Sequence, residues 1–356
     1  MNNINQSFFI LIRAGLGLPA SGSTKDLDWN AIEDLSAQHG LSAIVIDGVE
    51  KLTVDQKPPK PVLLKWTGEV LQSEANYAVQ QKAAEEMALL FHHNAIRTYV
   101  LKGAVVSECY PNAIHRSSVD LDCFLRHDSG EFNAWEKGNS LVQSNGFEVS
   151  TDFYKNSTFY FPGLIVENHR FLTPFRGNKR LKALERFLQN LLLNDSGEDK
   201  FEGTWLYRPP VMVSALFLVE HAYSHFLHEG LTWRHVLDWM MFKKRHESEV
   251  DWTVFDANVD EFGLRKFYNA YLRMGLYLMG ELNEEDLSDK EKQMLADIWA
   301  PLDLHEEYHG IRGKINLAGN TIRARWKYRY FTEISWITAL CIQVKGFLFI
   351  KHPTLD

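Results

Sequence analysis

Residues 99–125 read Y-V-L-K-G-A-V-V-S-E-C-Y-P-N-A-I-H-R-S-S-V-D-L-D-C-F-L, and Asp120 and Asp122 stand out in that run. The segment Val119 to Leu125 alternates as a strand does, with Val119, Leu121, Cys123 and Leu125 on one face and Asp120, Asp122 and Phe124 on the other. Residues two apart on a strand lie about 6.6 Å apart along its axis and share a face. Two carboxylates about 6 Å apart repel by roughly 3 kcal/mol at an effective dielectric near 20. A divalent cation turns that cost into a binding site, and an all-oxygen ligand set suits Mg²⁺. A later alternating run, Leu164 to Arg170, puts Ile165, Glu167 and His169 on one face, so Glu167 becomes a third carboxylate if the two strands are neighbours. Three converging carboxylates suit two-metal phosphoryl or nucleotidyl transfer: one ion lowers the pKa of an attacking hydroxyl, and the other neutralises charge on a triphosphate. Lys102-Gly103, at a strand-to-helix junction, would offer a cation and backbone N–H groups to phosphates.

Asp-Leu-Asp also occurs at 26–28, where capping a helix is its simplest role. The triplet at 120–122 gains meaning from its order: strand, Lys-Gly, helix, Arg116, Asp-x-Asp on a strand, then Glu-x-His on a later strand.

These residues need a scaffold, and the pattern predicts one in three parts. Region 1–95 reads as helical. Asp28 sits before Ile32 and Leu35, with Gly40 as a stop, and a short helix follows from Ser42 to Leu52. A polar Pro-rich connector spans Asp55 to Pro61, and one long helix runs from Val62 to His93. Region 96–175 reads as a compact α+β unit. Its strands are expected at Thr98 to Leu101, Val119 to Leu125, Phe147 to Thr151, Ser157 to Phe161 and Leu164 to Arg170, with a Pro162-Gly163 hairpin turn. A helix capped by Asp128 or Ser129 should stop at Asn145-Gly146. Region 176–356 reads as helical again, with helices expected at Leu181 to Leu193, from Pro209-Pro210 to His228, Trp233 to Arg245, Glu261 to Leu282, Asp289 to Trp299, and at the C-terminus. The fold class is therefore α+β, a small mixed sheet flanked by N-terminal helices and a C-terminal helical domain.

Composition bounds the chemistry. In 356 residues, 45% hydrophobic and 24% charged, a sizeable core is available, and collagenous or disordered classes are excluded. A net charge of −8 argues against wholesale binding to nucleic acid. Basic residues do gather at Arg312, Lys314, Arg323, Arg325, Lys327 and Arg329, interleaved with Trp326, Tyr328 and Tyr330. That pattern fits a polyanion or an anionic membrane, or ion pairs for the chain's 46 acids. Cys109, Cys123 and Cys341 are too scattered for a disulfide framework or a cysteine zinc site, which points to the cytoplasm. The short apolar run Phe8 to Ile12 lacks the flanks of a signal peptide. The run Ile334 to Ile350 reads as a buried or amphipathic helix rather than a membrane span.

The pattern Leu101-Lys102-Gly103, Tyr110-Pro111, Arg116 and Asp120-Leu121-Asp122 resembles the signature of the uncharacterised nucleotidyltransferase family within the polymerase-beta-type superfamily. In that family Lys-Gly stands where Gly-Ser is usual, an Arg stands four residues before the first Asp, and an acidic-x-His strand like Val166 to His169 follows. Leu27 to Leu52 is similar to its N-terminal helical region. The resemblance implies transfer of a nucleoside monophosphate from an NTP to an acceptor hydroxyl. Asp120 and Asp122 would hold two Mg²⁺ ions, Glu167 would complete that site or act as general base, and Lys102, Gly103 and Arg116 would contact phosphates. The acceptor, the choice of NTP and the oligomeric state are not supplied. An alternative is a nucleotide-binding or scaffold protein that keeps the fold without turnover.

A second cluster, His221, His225 and His228, lies on one helical face by its spacings of four and three. It reads as a packed face or as zinc ligands of a metal-dependent hydrolase. In the reading closest to the family, His221 and His225 line the cleft together with His169, Arg234 and Asp238.

Overall fold

The computed structural model describes residues 3–349 apart from 21, 23–26, 117, 131–132, 152, 301–321 and 323, together with residue 355. The chain opens with α1 (Asn3–Gly15), α2 (Trp29–Gln38), α3 (Ser42–Glu50) and the 33-residue α4 (Lys60–His92). Asp28 caps α2 as its sequence position requires, its Oδ1 accepting from Ala31 N at 3.1 Å. Helices α1 and α3 press together at Gly15 and Gly48, where a side chain on either glycine would run into the other helix's backbone.

The α+β part follows: β1 (Ile96–Val100), α5 (Ala104–Ser107), β2 (Asp120–His127), α6 (Ala134–Ser144), β3 (Val149–Ser150), β4 (Asn156–Phe161) and β5 (Leu164–His169). After α7 (Lys179–Leu193), a two-residue strand β6 (Leu206–Tyr207) returns to the sheet. The strand order is β3-β4-β5-β2-β1-β6. The pairs β1–β2, β3–β4 and β4–β5 are antiparallel, whereas β2–β5 and β1–β6 are parallel. The helical remainder is α8 (Val211–His228), α9 (Trp233–Arg245), α10 (Trp252–Glu261), α11 (Arg265–Met279), α12 (Asp289–Trp299), α13 (Arg325–Phe331) and α14 (Trp336–Phe349). The architecture is α+β with helical flanks.

The sheet has two unlike faces. Leu121, Cys123 and Leu125 share a core with Met87 and Phe91 of α4 and Val142 of α6. The opposite face turns toward α8, where the Phe217 ring meets His169 edge-on at 6.2 Å. Helices from both ends of the chain share the larger core, as the 4.7 Å contact between Phe9 and Trp233 shows.

Four local expectations need correction. Helix α6 is not capped by Asp128 or Ser129: Asp128 pairs with Arg97 at 2.6 Å, Ser129 bonds His127 at 2.7 Å, and the N-cap is Asn133. The helix expected over Glu261 to Leu282 is the shorter α11, because Gly263 takes a left-handed φ of +75° just before it, and α10 (Trp252–Glu261) was not anticipated. Strand β6 was not anticipated; two residues carry too little periodicity to be seen. In the basic segment, Arg312, Lys314 and Arg323 lie outside the described residues. Lys327 is buried, pairing with Asp297 at 2.7 Å and donating to Phe226 O at 2.7 Å, so it belongs to the core rather than to a cationic surface. Among the described residues no helix is long and apolar enough to cross a membrane.

Candidate functional site

The parallel register of β2 and β5 aligns Asp120 with Ile165, Asp122 with Glu167 and Phe124 with His169. Residues aligned across a ladder point to the same face, so Asp120, Asp122, Glu167 and His169 converge there. One ligand atom each from Asp122, Glu167 and His169 lies within 4.8 Å of the others. His169 Nδ1 is 3.2 Å from Phe171 O, which can only accept, so that nitrogen carries a proton. Its Nε2 sits 2.9 Å from Asp122 Oδ1 and 3.6 Å from Glu167 Oε2. Burial works against a charged His169, but these two carboxylates outweigh it and raise its pKa.

Lys102 arrives at the same point from β1. Leu101 N donates to Asp122 O at 2.9 Å, extending the β1–β2 ladder up to the turn, and Gly103 then takes a φ of +65° to let α5 begin. Lys102 Nζ lies 3.1 Å from Asp122 Oδ2 and 3.1 Å from His221 Nε2. Burial pushes the Asp122 carboxyl up, yet Lys102 and His169 outweigh it and hold the group well below the usual carboxylate range. The Asp120 carboxyl goes the other way, raised by burial first and by Asp122 second. Ser118 Oγ donates to it at 3.3 Å.

Arg116 is 5% exposed, and Asp238 grips it through two bonds, Nε to Oδ1 at 3.0 Å and Nη2 to Oδ2 at 2.6 Å. Tyr110 Oη also donates to Asp238 Oδ1, at 2.7 Å. The remaining nitrogen, Nη1, is buried and has no hydrogen-bond partner among the described residues. Arg234, one turn before Asp238 on α9, lies against Gly40. Its pKa is lowered by burial and then by Arg116.

A cavity of about 500 Å³ opens beside these groups. Lys102, Arg116 and Asp120 line it from the sheet side, and His221, His225, Arg234 and Asp238 from α8 and α9. Gly103 does not line it; it borders a second, smaller cavity beyond Asp120.

His228 is not part of the imidazole cluster. The third ring is His235, which sequence reasoning missed: the ligand atoms of His221, His225 and His235 lie within 4.8 Å of one another. The available signal was Thr232-x-x-His235, a capping box at the start of α9. His235 Nδ1 accepts from Thr232 N at 3.1 Å, so a neutral His235 holds its proton on Nε2 and has no lone pair left there for a metal. His225 Nδ1 faces Glu229 at 2.9 Å, and its Nε2 lies 3.0 Å from His221 Nε2, which also faces the Lys102 ammonium. Two imidazoles and an ammonium make an incomplete zinc donor set. The pKa of His221 and of His235 is pushed well down, chiefly by burial, so this wall is polar but largely uncharged.

The site is thus an acidic cluster on a mixed sheet, roofed by helices, beside a cavity lined by cations and carboxylates. A model of the uncharacterised nucleotidyltransferase family matches residues 25–280, so the chain belongs to that family. The match takes in the acidic cluster and every cavity-lining residue named above. No curated protein and no solved structure matches the chain.

Proposed function

We propose that the protein transfers a nucleoside monophosphate from an NTP to an acceptor hydroxyl, with Mg²⁺ and with release of pyrophosphate. The observation that carries this reading is the alignment of Glu167 with Asp122, with Asp120 on the same face and at the edge of the cavity that Lys102, Arg116 and Arg234 line. The donor set fits the metal: three carboxylates on one sheet face offer hard oxygen ligands, with Asp122 Oδ2 buried beside Lys102. Asp120, Asp122 and Glu167 would hold the ions, which supply charge neutralisation at the phosphates and an activated hydroxyl.

The chain's own groups do the rest. Lys102 and Arg116 line the cavity and bind phosphate oxygens. Asp238 and Tyr110 fix the Arg116 fork, so the phosphate is met by a group already in place. His169 orients the Asp122 carboxylate from the side opposite Lys102.

One observation favours a second reading, a nucleotide-binding protein without turnover. The Lys102 ammonium already stands 3.1 Å from Asp122 Oδ2, where a cation would bind. Pyrophosphate release from NTPs with Mg²⁺ separates the two readings. Transfer requires measurable release, reduced at least about 100-fold in Asp120→Asn and in Asp122→Asn. Both variants should keep the circular dichroism of the wild type. Full activity in either variant, or its unfolding, would overturn the metal assignment; NTP binding without any release would support the second reading.

A further inference from the structure

The carboxylate of Asp120 stands between two cavities that differ in charge. The first, described above, presents Lys102, Arg116 and Arg234 beside the carboxylates of Asp120, Glu229 and Asp238, and Nη1 of Arg116 is buried with no hydrogen-bond partner among the described residues. The second, about 250 Å³, lies where α4 approaches the start of β2, and it shares Ser118 and Asp120 with the first. Among the described residues no Lys, Arg or His lines it. Its wall carries Tyr77, Gln81, Glu85, Phe201, Glu202 and Thr204, two aromatic rings among amide, hydroxyl and carboxylate groups.

In phosphoryl transfer the attacking and leaving oxygens stand roughly in line on opposite sides of the phosphorus. A triphosphate and a second reactant must therefore approach Asp120 from different directions. Charge decides which takes which. A polyphosphate meets cations that offset the carboxylates in the first cavity, and carboxylates alone in the second, so it favours the first. Half the volume of the first, the second cavity suits a compound smaller than a nucleotide.

We propose that the second cavity is the acceptor site, and that the acceptor is a small uncharged or cationic hydroxyl compound rather than an anionic one. This inference rests on the nucleotidyl-transfer reading. The acceptor oxygen bonds to the α-phosphorus of the NTP as the bond from that phosphorus to the bridging oxygen breaks. The electron pair leaves with pyrophosphate, and the hydroxyl proton passes to water. Glu85 and Glu202 draw in a cationic acceptor and deter sugar phosphates, hydroxy acids and nucleic-acid ends.

The test measures pyrophosphate release by the full-length protein with Mg²⁺ and the four NTPs. Acceptors are offered in three charge classes: neutral monosaccharides, amino sugars with amino alcohols, and sugar phosphates with hydroxy acids. The expected result is at least a ten-fold acceleration by a member of the first or second class and none by the third. In a Glu85→Gln/Glu202→Gln variant the KM for a cationic acceptor should rise about ten-fold while the KM for the NTP stays unchanged. Acceleration by the anionic class, or by no class, overturns the proposal. Calorimetric titration with a non-hydrolysable NTP keeps the two readings apart. Should the wild type bind NTP no better than Asp120→Asn, the nucleotidyl-transfer reading itself fails; tight NTP binding with an anionic preference sinks the acceptor assignment alone.

Discussion

Both carboxylate oxygens of Glu220, on α8, are buried without a hydrogen-bond partner among the described residues, and burial pushes the group up from 4.5 to about 8. Lys155 opposes that shift and Glu185 adds to it, without changing its direction. Between those two values the folded protein keeps the proton that the unfolded chain has released. Stability therefore falls as pH rises through this window, by up to about 1.4 kcal/mol per pH unit. A Glu220→Gln variant keeps the shape and removes the titration. Its stability relative to the wild type should grow steadily from about pH 5 to about pH 8, as urea unfolding at the two pH values will show. A constant difference would mean that Glu220 is ionised against a partner. The sequence could not announce this residue, since Glu220 precedes His221 in a helix whose face toward the sheet is set by packing alone.

At the scale of elements, His115 ties the approach to the site onto two helices. Its Nδ1 lies 2.7 Å from Asp47 of α3 and its Nε2 2.7 Å from Glu74 of α4. With a carboxylate on each nitrogen, the ring is held as an imidazolium. The bond to Asp47 is the largest cause of its raised pKa; burial opposes it and Glu74 reinforces it. The clamp is at full strength below the ordinary value of 6.5 and is lost as pH rises through the higher folded value. A His115→Gln variant should therefore be less stable than the wild type at about pH 6, and the gap should close at alkaline pH. Denaturant midpoints measured across that range check it; a gap independent of pH would refute the charged clamp. Because His115 immediately precedes Arg116, the clamp also holds the segment that delivers Asp120. Elements with strong local signals were legible: α9 runs from Trp233 to Arg245 and α12 from Asp289 to Trp299, both as read from the sequence. The cap of α6 was not, because Asp128 has a competing partner in Arg97, 31 residues away.

For the molecule as a whole, the ends of the chain are structurally joined. Phe8 and Phe9 of α1 pack on Trp299 and Trp233, at ring distances of 6.0 and 4.7 Å, and both phenylalanines are essentially buried. Phe9→Ala should cost about 3–5 kcal/mol, and the helical parts should still unfold in one cooperative transition. Tryptophan fluorescence and circular dichroism that report separate midpoints would show that the two ends form independent units. The sequence by itself determined the α+β class, most helix limits, and the placing of Asp120 and Asp122 on one strand face. Those follow from periods of two and 3.6 residues and from caps, all of which act within a few positions. The tertiary structure alone decided which strands are neighbours, and so whether Glu167 meets Asp122. It also decided that Arg116 is bound by Asp238, 122 residues later, and that Lys102 bridges Asp122 and His221. It brought His235 rather than His228 into the imidazole cluster. Such pairings depend on how whole faces bury against one another, and no local period carries that information.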